Sequence, residues 1–453
     1  MSTAAPPRAR GNPLLGLALD LRRDQIRTYE RVMREYGDVV RLVVGPPGLR
    51  FELYCVFHPD GVKAVLGGPR EGFTKGNRFY RTMAESFGSG LLTSEGDLWQ
   101  RQRRLIQPLF TRRQIASYSQ LMAEETAVVA ARWDRASRNG GSVDANAEMI
   151  ALTLRVVGRA IFGDDLAKAS EVLDEAFPVL NRHTFRRAMS PLASPATWPS
   201  PANRRAGHAR RSLYRVVDEL IAQRSQAGAA GDDLLSRLLS ARDPDSDEAM
   251  DLQQVRDEAL IFLLAGHETT STALTFTLQL LARHPIEQRL VQAELDAVLA
   301  GDPPTVDHAA ALERTGMALK EAMRLYPPAY ALGRLAETEQ VITGFSIPAG
   351  SFMSVSQFAT HRHPQFWDDP EAFDPRRFTP ELERARPPHA YFPFGRGPRA
   401  CIGSHFAMLE ATIALAVLLQ RFDIATRQES VPLDTQGITL RPRGRVPIEL
   451  TPR

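Results

Sequence analysis

FPFGRGPRACIG, residues 392–403, supports two incompatible readings, and the choice between them decides the fold. Its centre, GRGPRA, fits the dinucleotide fingerprint G-x-G-x-x-G/A, in which glycines let the backbone approach a pyrophosphate. The same stretch delivers Cys401 just before an apolar helical pattern over 402–420, which suits a thiolate metal ligand. The fingerprint has local support, because AYF (390–392) precedes the glycines and FDIAT (422–426) reads as a second strand. Against it, Pro393 interrupts the first strand, and Pro398 removes an amide that a phosphate would use. Too little chain follows to complete a doubly wound sheet. The thiolate reading uses more of the residues. A cysteine at a helix mouth sits where free amides and the macrodipole favour the anion. Gly395 and Gly397 permit a tight loop with amides aimed at the sulfur, Gly403 allows close approach to a flat group, and Arg399 can meet an anion. An inert buried cysteine, the usual fate of an isolated one, leaves the glycines unexplained.

Bulk properties narrow the class. At 453 residues, 43% hydrophobic and 24% charged, the chain can bury a sizeable core in one large domain or several ordinary ones. A formal net charge of +3 argues for neither nucleic acid nor a membrane surface. Cys55 and Cys401 are the two cysteines; they cannot make a disulfide framework and fit a reducing, cytoplasmic setting. The opening MSTAAPPRARGNPLLGLALDLRRD has too short an apolar stretch for a secretory signal or membrane anchor. VITGFSIPAGSFMSVSQFAT (341–360) is uncharged but broken by Gly, Pro and Ser, and reads as a hairpin turning at PAG. A soluble protein is expected.

Along the chain, a helical pattern up to about Tyr36 precedes two strand-like runs, VVRLVV (39–44) and FELYCVF (51–57). Apolar residues three and four apart then dominate, notably at 115–132, 206–224, 254–282 and 286–300. Strand signals return at 335–360 and in the last thirty residues, with no repeat and no alternating βα series. SPLASPATWPSPANRR (190–205) reads as a lid-like loop inside one domain, with a flexible linker as the alternative.

Two further motifs carry chemistry. In AGHETT (265–270), within the helical pattern 254–282, Gly266 costs about 1 kcal/mol relative to Ala and so has a packing or functional reason. The Thr269 hydroxyl can back-bond to the Ala265 carbonyl, and the small residues beside an acid and an alcohol make either a polar notch or a simple helix kink. In KEAMRLYPP (320–328), Glu321 and Arg324 share a helix face and can pair, and the abrupt Tyr326-Pro327-Pro328 stop points to a buried, fixed geometry. FDPRRF (373–378) offers Arg377 as a third partner.

Together these four motifs resemble the signature set of the cytochrome P450s. The cysteine loop matches F-G-x-G-x-R-x-C-x-G at Phe394, Gly395, Gly397, Arg399, Cys401 and Gly403, and WQRQR (99–103) matches W-x-x-x-R. The resemblance spans essentially the whole chain. It implies a mainly α fold with small β-sheets (α+β), the single triangular haem-thiolate monooxygenase domain over residues 1–453, with haem b (iron protoporphyrin IX) as cofactor. By this similarity Cys401 is the axial ligand of the iron. Phe394, Gly395, Gly403 and Ala265 match positions beside the haem, and Trp99, Arg103, Arg334 and Arg399 match positions that contact its propionates. Glu268 and Thr269 match the distal acid–alcohol pair, with Thr269 acting at the oxygen and Glu268 relaying protons. Glu321, Arg324 and Arg377 match a structural network that holds the segment before the cysteine loop. Phe79, Met83, Phe87, Phe262, Ala265, Tyr330, Leu332 and Ile438 fall at pocket positions, with ordinary core packing as the alternative for each.

The implied reaction inserts one oxygen atom of O2 into a small apolar organic substrate: a secondary metabolite, terpenoid, polyketide or fatty acid. The motifs leave no flavin, nicotinamide or iron–sulfur segment. Electrons from NAD(P)H are therefore expected through a separate ferredoxin or flavodoxin with its reductase, feeding a monomer of bacterial type. Arg101, Arg104, Arg112, Arg113 and Arg396 read as the docking face for an acidic donor, with a solvated basic patch as the alternative. A peroxide-driven haem hydroxylase would carry an Arg-Pro arrangement in place of Glu268-Thr269. A non-catalytic haem-binding protein would not need the intact pair.

Overall fold

The computed structural model describes every residue except 1–3, 69–71, 139, 164–169, 191–194, 196, 227–230, 232 and 244. Its longest helix, Leu252–Arg283, starts where the Asp251 side chain accepts the Gln254 amide. That helix is buried for most of its length, as a helix through the centre of a large core must be, and it buries polar residues such as Asp257, Glu258 and Glu268 among its apolar ones. Ala145–Phe162 packs along it. A Cβ at Gly266 would stand 2.8 Å from Val157 Cγ2, so this glycine lets the two helices come together. Phe276 and Leu415 belong to one core cluster, which also takes in Ser119–Ser137 and the cysteine helix Ser404–Arg421. A second cluster lies under Arg78–Phe87, Ser170–Met189 and Pro201–Gln226.

The expected helices are present with shifted ends. The pattern at 115–132 resolves into Arg112–Ala116 and Ser119–Ser137, and that at 206–224 extends to Pro201–Gln226. Of the stretch 190–205 read as a lid-like loop, residues 191–194 and 196 lie outside the described residues; Trp198 is exposed and a helix begins at Pro201. Among the described residues no helix is long and apolar enough to cross a membrane.

Small sheets complete the architecture. The largest has five strands in the spatial order Val39–Val44, Phe51–Val56, Phe352–Val355, Leu332–Ala336, Phe73–Thr74. Only the pairing of Phe51–Val56 with Phe352–Val355 is parallel among the described strands, which leaves no doubly wound sheet for a dinucleotide. FDIAT supplies Phe422–Ala425, which instead pairs antiparallel with Pro447–Pro452, and AYF forms no strand. The hairpin expected to turn at PAG turns earlier. Gln340–Ile342 pairs with Phe345–Ile347 across Thr343 and Gly344, both at positive φ, the geometry of a tight two-residue turn. PAG is instead the connection into Phe352–Val355 of the larger sheet.

Between that sheet and the cysteine helix runs a long segment with little regular structure, organised by one ion pair. Glu321 and Arg324, on helix Glu313–Leu325, are both fully buried and meet in two contacts, Nε–Oε2 at 2.7 Å and Nη2–Oε1 at 2.8 Å. Arg324 spends its remaining donors on the carbonyls of His361, Pro370 and Ala372. Glu321 also accepts the Asp374 amide at 2.9 Å and lies 3.4 Å from Arg377 Nε. Burial and the neighbouring Arg324 and Arg362 hold His361 well below its usual pKa, and its Nε2 accepts the Phe392 amide. Removing one member of such a pair leaves an uncompensated buried charge. Glu321→Ala is therefore expected to cost about 3–5 kcal/mol, read as a lowered denaturant midpoint. A midpoint equal to the parent's would show that the pair does not organise this segment.

Candidate active site

The network above delivers the chain to the cysteine loop. Gly395 and Gly397 have φ of 69° and 71°, the left-handed region that favours glycine. Gly397 is also sterically required, because a Cβ there would fall 2.0 Å from the Leu66 carbonyl oxygen. The loop closes where the Cys401 amide donates to the Phe394 carbonyl at 2.9 Å. Cys401 has accessible surface, yet it is enclosed by the body of the protein. Both hold because its sulfur opens onto an internal cavity. Burial pushes its thiol up, while the Gly403 amide, Arg103 and Lys75 pull the other way.

Facing the cysteine, Ala265, Gly266, Glu268 and Thr269 of the central helix line the same cavity, as do Phe394, Gly395 and Gly403. Thr269 Oγ1 donates to the Ala265 carbonyl at 2.6 Å, the back-bond the sequence allows. Glu268 turns toward the helix Ser170–Met189 and the C-terminal segment. Its carboxylate accepts both Asn181 Nδ2 contacts, at 2.7 and 3.0 Å, and pairs with Arg441 Nη1 at 3.0 Å.

One end of the cavity is cationic. Arg103, Arg334, Arg399 and Trp99 line it, joined by Lys75, which sequence reasoning did not single out. Arg399 lies 3.9 Å over the Trp99 ring, pairs with Glu95 at 2.7 Å and donates to the Ser94 carbonyl. Burial lowers its pKa to about 10 against the pull of Glu95. Arg334 donates to the Gly333 carbonyl and Arg103 to that of Ala400. Lys75 donates to the Leu92 carbonyl at 2.8 Å; burial first, then Arg334 and Arg399, hold it well below its usual value. Glu95 is the carboxylate that meets this cluster, at Arg399 and at Lys75. A flat group with a metal at one side and anionic arms at the other fits these residues: the sulfur for the metal, the cation cluster for the arms. Glu321, Arg324 and Arg377 lie outside the cavity lining.

Of the expected pocket residues, Phe79, Met83, Phe262, Ala265, Leu332 and Ile438 line the cavity, whose surface is mostly apolar. Phe87 does not: it is fully buried and stacks on Phe177 at 6.3 Å. Tyr330 does not either. Its hydroxyl faces away from the cavity, within 3.3 Å of Gln25 Oε1 and the Thr435 and Gly437 carbonyls. The basic surface also differs from expectation. Arg104 pairs with Asp243 and Asp245, and Arg101 with Glu248 and the Ala249 carbonyl, so neither belongs to an unopposed patch. Arg396 is exposed and donates to the Pro388 and Tyr391 carbonyls. Arg112 and Arg113 are exposed, with no carboxylate in ion-pair range among the described residues.

Comparison with known proteins agrees with this geometry. The family model described as Cytochrome P450 matches residues 6–447. The chain is 34% identical to cyclooctat-9-en-7-ol 5-monooxygenase of Streptomyces melanosporofaciens, over 90% of this chain and 87% of the relative. It is also 34% identical to pentalenene oxygenase of Streptomyces avermitilis, over 92% of this chain and 91% of the relative. Among solved structures, the cytochrome P450DA heme domain superposes with a TM-score of 0.89 at 29% identity, covering 100% of this chain and 99% of that one.

The cavity wall at Leu91 and Leu92 hangs from two acids on the central helix. The Leu91 amide donates to Glu258 at 2.9 Å and the Ser89 amide to Asp257 at 2.8 Å. Burial pushes Glu258 up to about 8, with Asp257 adding to the effect. Between its ordinary value of 4.5 and about 8, the folded protein holds a proton here that the unfolded chain has released. Stability contributed by this group therefore falls as pH rises through that window. Glu258→Gln, neutral throughout and still able to accept from Leu91, is expected to flatten the decline, measured as denaturant midpoint from pH 5 to pH 8. An unchanged slope would mean that Glu258 ionises normally.

Proposed function

The chain belongs to the cytochrome P450 family and is a haem-thiolate monooxygenase using O2; on that premise we propose that it oxygenates an apolar terpenoid hydrocarbon or alcohol. The observation that carries this reading is the single cavity shared by the Cys401 sulfur, Thr269 and a mostly apolar wall. The names of the relatives, an oxygenase of pentalenene and a monooxygenase of cyclooctat-9-en-7-ol, support the substrate class.

The haem, when bound, supplies the oxidising chemistry, and the chain's residues position and protonate. In this reading the Cys401 sulfur would bind the haem iron, and Phe394, Gly395, Gly403 and Ala265 would lie against the haem. Arg103, Arg334, Arg399, Lys75 and Trp99 hold the propionates. The Thr269 hydroxyl has its proton on the Ala265 carbonyl at rest and can redirect it to an acceptor in the cavity. Glu268, at the cavity edge and backed by Arg441 and Asn181, passes protons inward. Phe79, Met83, Phe262, Leu332 and Ile438 exclude water and shape the site. Residues 1–453 act as one cytoplasmic, monomeric domain. Electrons arrive from NAD(P)H through a separate acidic ferredoxin or flavodoxin, which docks near Arg112, Arg113 and Arg396 by long-range attraction.

Reduced protein under carbon monoxide is expected to show the far-red-shifted Soret band of a thiolate ligand, and Cys401→Ala to lose it. Retention of the band in Cys401→Ala would defeat the assignment. For the donor, the double charge reversal Arg112→Glu with Arg113→Glu is expected to slow electron transfer from an acidic ferredoxin. The parent rate should also fall as salt rises. Rates indifferent to both changes would exclude this face.

A further inference from the structure

Asn181 bridges the central helix at Glu268 and the wall segment at Ile438. Its side chain is almost fully buried on the helix Ser170–Met189. On one side its Nδ2 donates to both oxygens of Glu268, at 2.7 and 3.0 Å. On the other its Oδ1 accepts the backbone amide of Ile438 at 2.8 Å. Ile438 lines the cavity wall. Only one orientation of the amide satisfies a carboxylate and an N–H together, so the assignment of its oxygen and nitrogen follows from its partners. Gly437 leaves room for it: a Cβ there would stand 3.0 Å from Asn181 Oδ1. Two further groups face Glu268 or the segment. Arg441 pairs with the acid and, at 3.5 Å, with Asp434, while Tyr330 touches the Thr435 and Gly437 carbonyls.

We infer that Asn181 is a positioning residue that couples the Ile438 wall of the substrate cavity to the carboxylate of Glu268. A hydrogen bond to a charged acceptor is stronger than one between neutral groups, and here the Glu268 end is buried. Displacement of the wall pulls on Oδ1, and the rigid planar amide transmits that to Nδ2 and the acid. Loss of negative charge at Glu268 weakens the Nδ2 contact and frees the wall in return. Such coupling is reciprocal by linkage. A substrate that seats against Ile438 thereby steadies the acid. The functional meaning of that last step rests on the proton-relay reading of Glu268, but the physical coupling does not.

The test is peptide-level hydrogen exchange of the haem-loaded enzyme, without turnover, over residues 436–440, a window that excludes Arg441. Asn181→Leu, and Asn181→Ala as a second variant should the first fold poorly, are expected to speed exchange there about tenfold. Exchange in the helix Ser119–Ser137 should stay unchanged as a folding control. Glu268→Gln should also speed exchange over 436–440 in the parent background, and add nothing once Asn181 is gone. Exchange unmoved by Asn181→Leu would overturn the inference. So would an equal Glu268→Gln effect in both backgrounds, since Arg441 would then carry the coupling. Product formed per NAD(P)H by Glu268→Gln tests the proton-relay reading separately, so failure of that reading cannot be confused with failure of the coupling.

Discussion

The bidentate contact between Glu321 and Arg324 fixes the long irregular segment that leads to the cysteine loop. Two charges removed completely from water are costly unless every donor and acceptor is used. Here Arg324 spends its remaining donors on three carbonyls spread from His361 to Ala372. The pair thus acts as a peg around which an irregular segment is wound. His361 passes the order on to Phe392, and Phe392 opens the cysteine loop. The Trp367 ring lies 5.0 Å from the Arg324 guanidinium, with Arg386 lying 4.0 Å over the same ring. The position of the Cys401 sulfur is therefore set from far outside its own loop.

Much of this was legible in the sequence because it rests on local rules. Helical spacing gave the long helices, and the glycines and prolines of FPFGRGPRACIG argued for a tight loop over a dinucleotide strand. Gly266 was legible as a cost, and the structure supplies its cause in Val157. The misplacements share one physical origin: each depended on a partner distant in the chain. The basic reading of Arg101 and Arg104 lacked Asp243, Asp245 and Glu248, more than a hundred residues away. Phe87 and Tyr330 carry the same apolar signature whether they face a cavity or a core, and only packing separates the two. Turn register at 340–355 was decided by which sheet each strand joins. Lys75 and Asn181 gave no signal at all, since a lone lysine or asparagine acquires meaning only from what surrounds it.

The two faces of the cavity follow different physical strategies. The cysteine side is rigid, with its loop held by backbone bonds and a glycine pressed against Leu66. The opposite side is assembled from side chains on separate elements, where Glu268, Asn181, Arg441 and Glu258 link the central helix to its neighbours. A fixed sulfur suits a permanent ligand. A wall hung on individual hydrogen bonds can adapt to what enters, because each bond is worth only about 1 kcal/mol net.

The crowding of Lys75, Arg103, Arg334 and Arg399 around one cavity end has a consequence for how the protein matures. Bringing Lys75, Arg334 and Arg399 together in a desolvated place, with Glu95 as the counter-charge to Arg399 and Lys75, stores mutual repulsion in the folded chain before any guest arrives. An anionic guest discharges it. Whatever binds the native state and not the unfolded one adds its binding free energy to stability, so folding and loading are thermodynamically joined at this end of the cavity. Cofactor present while the chain folds therefore adds to the stability of the native state, and the cation cluster is where that gain is made.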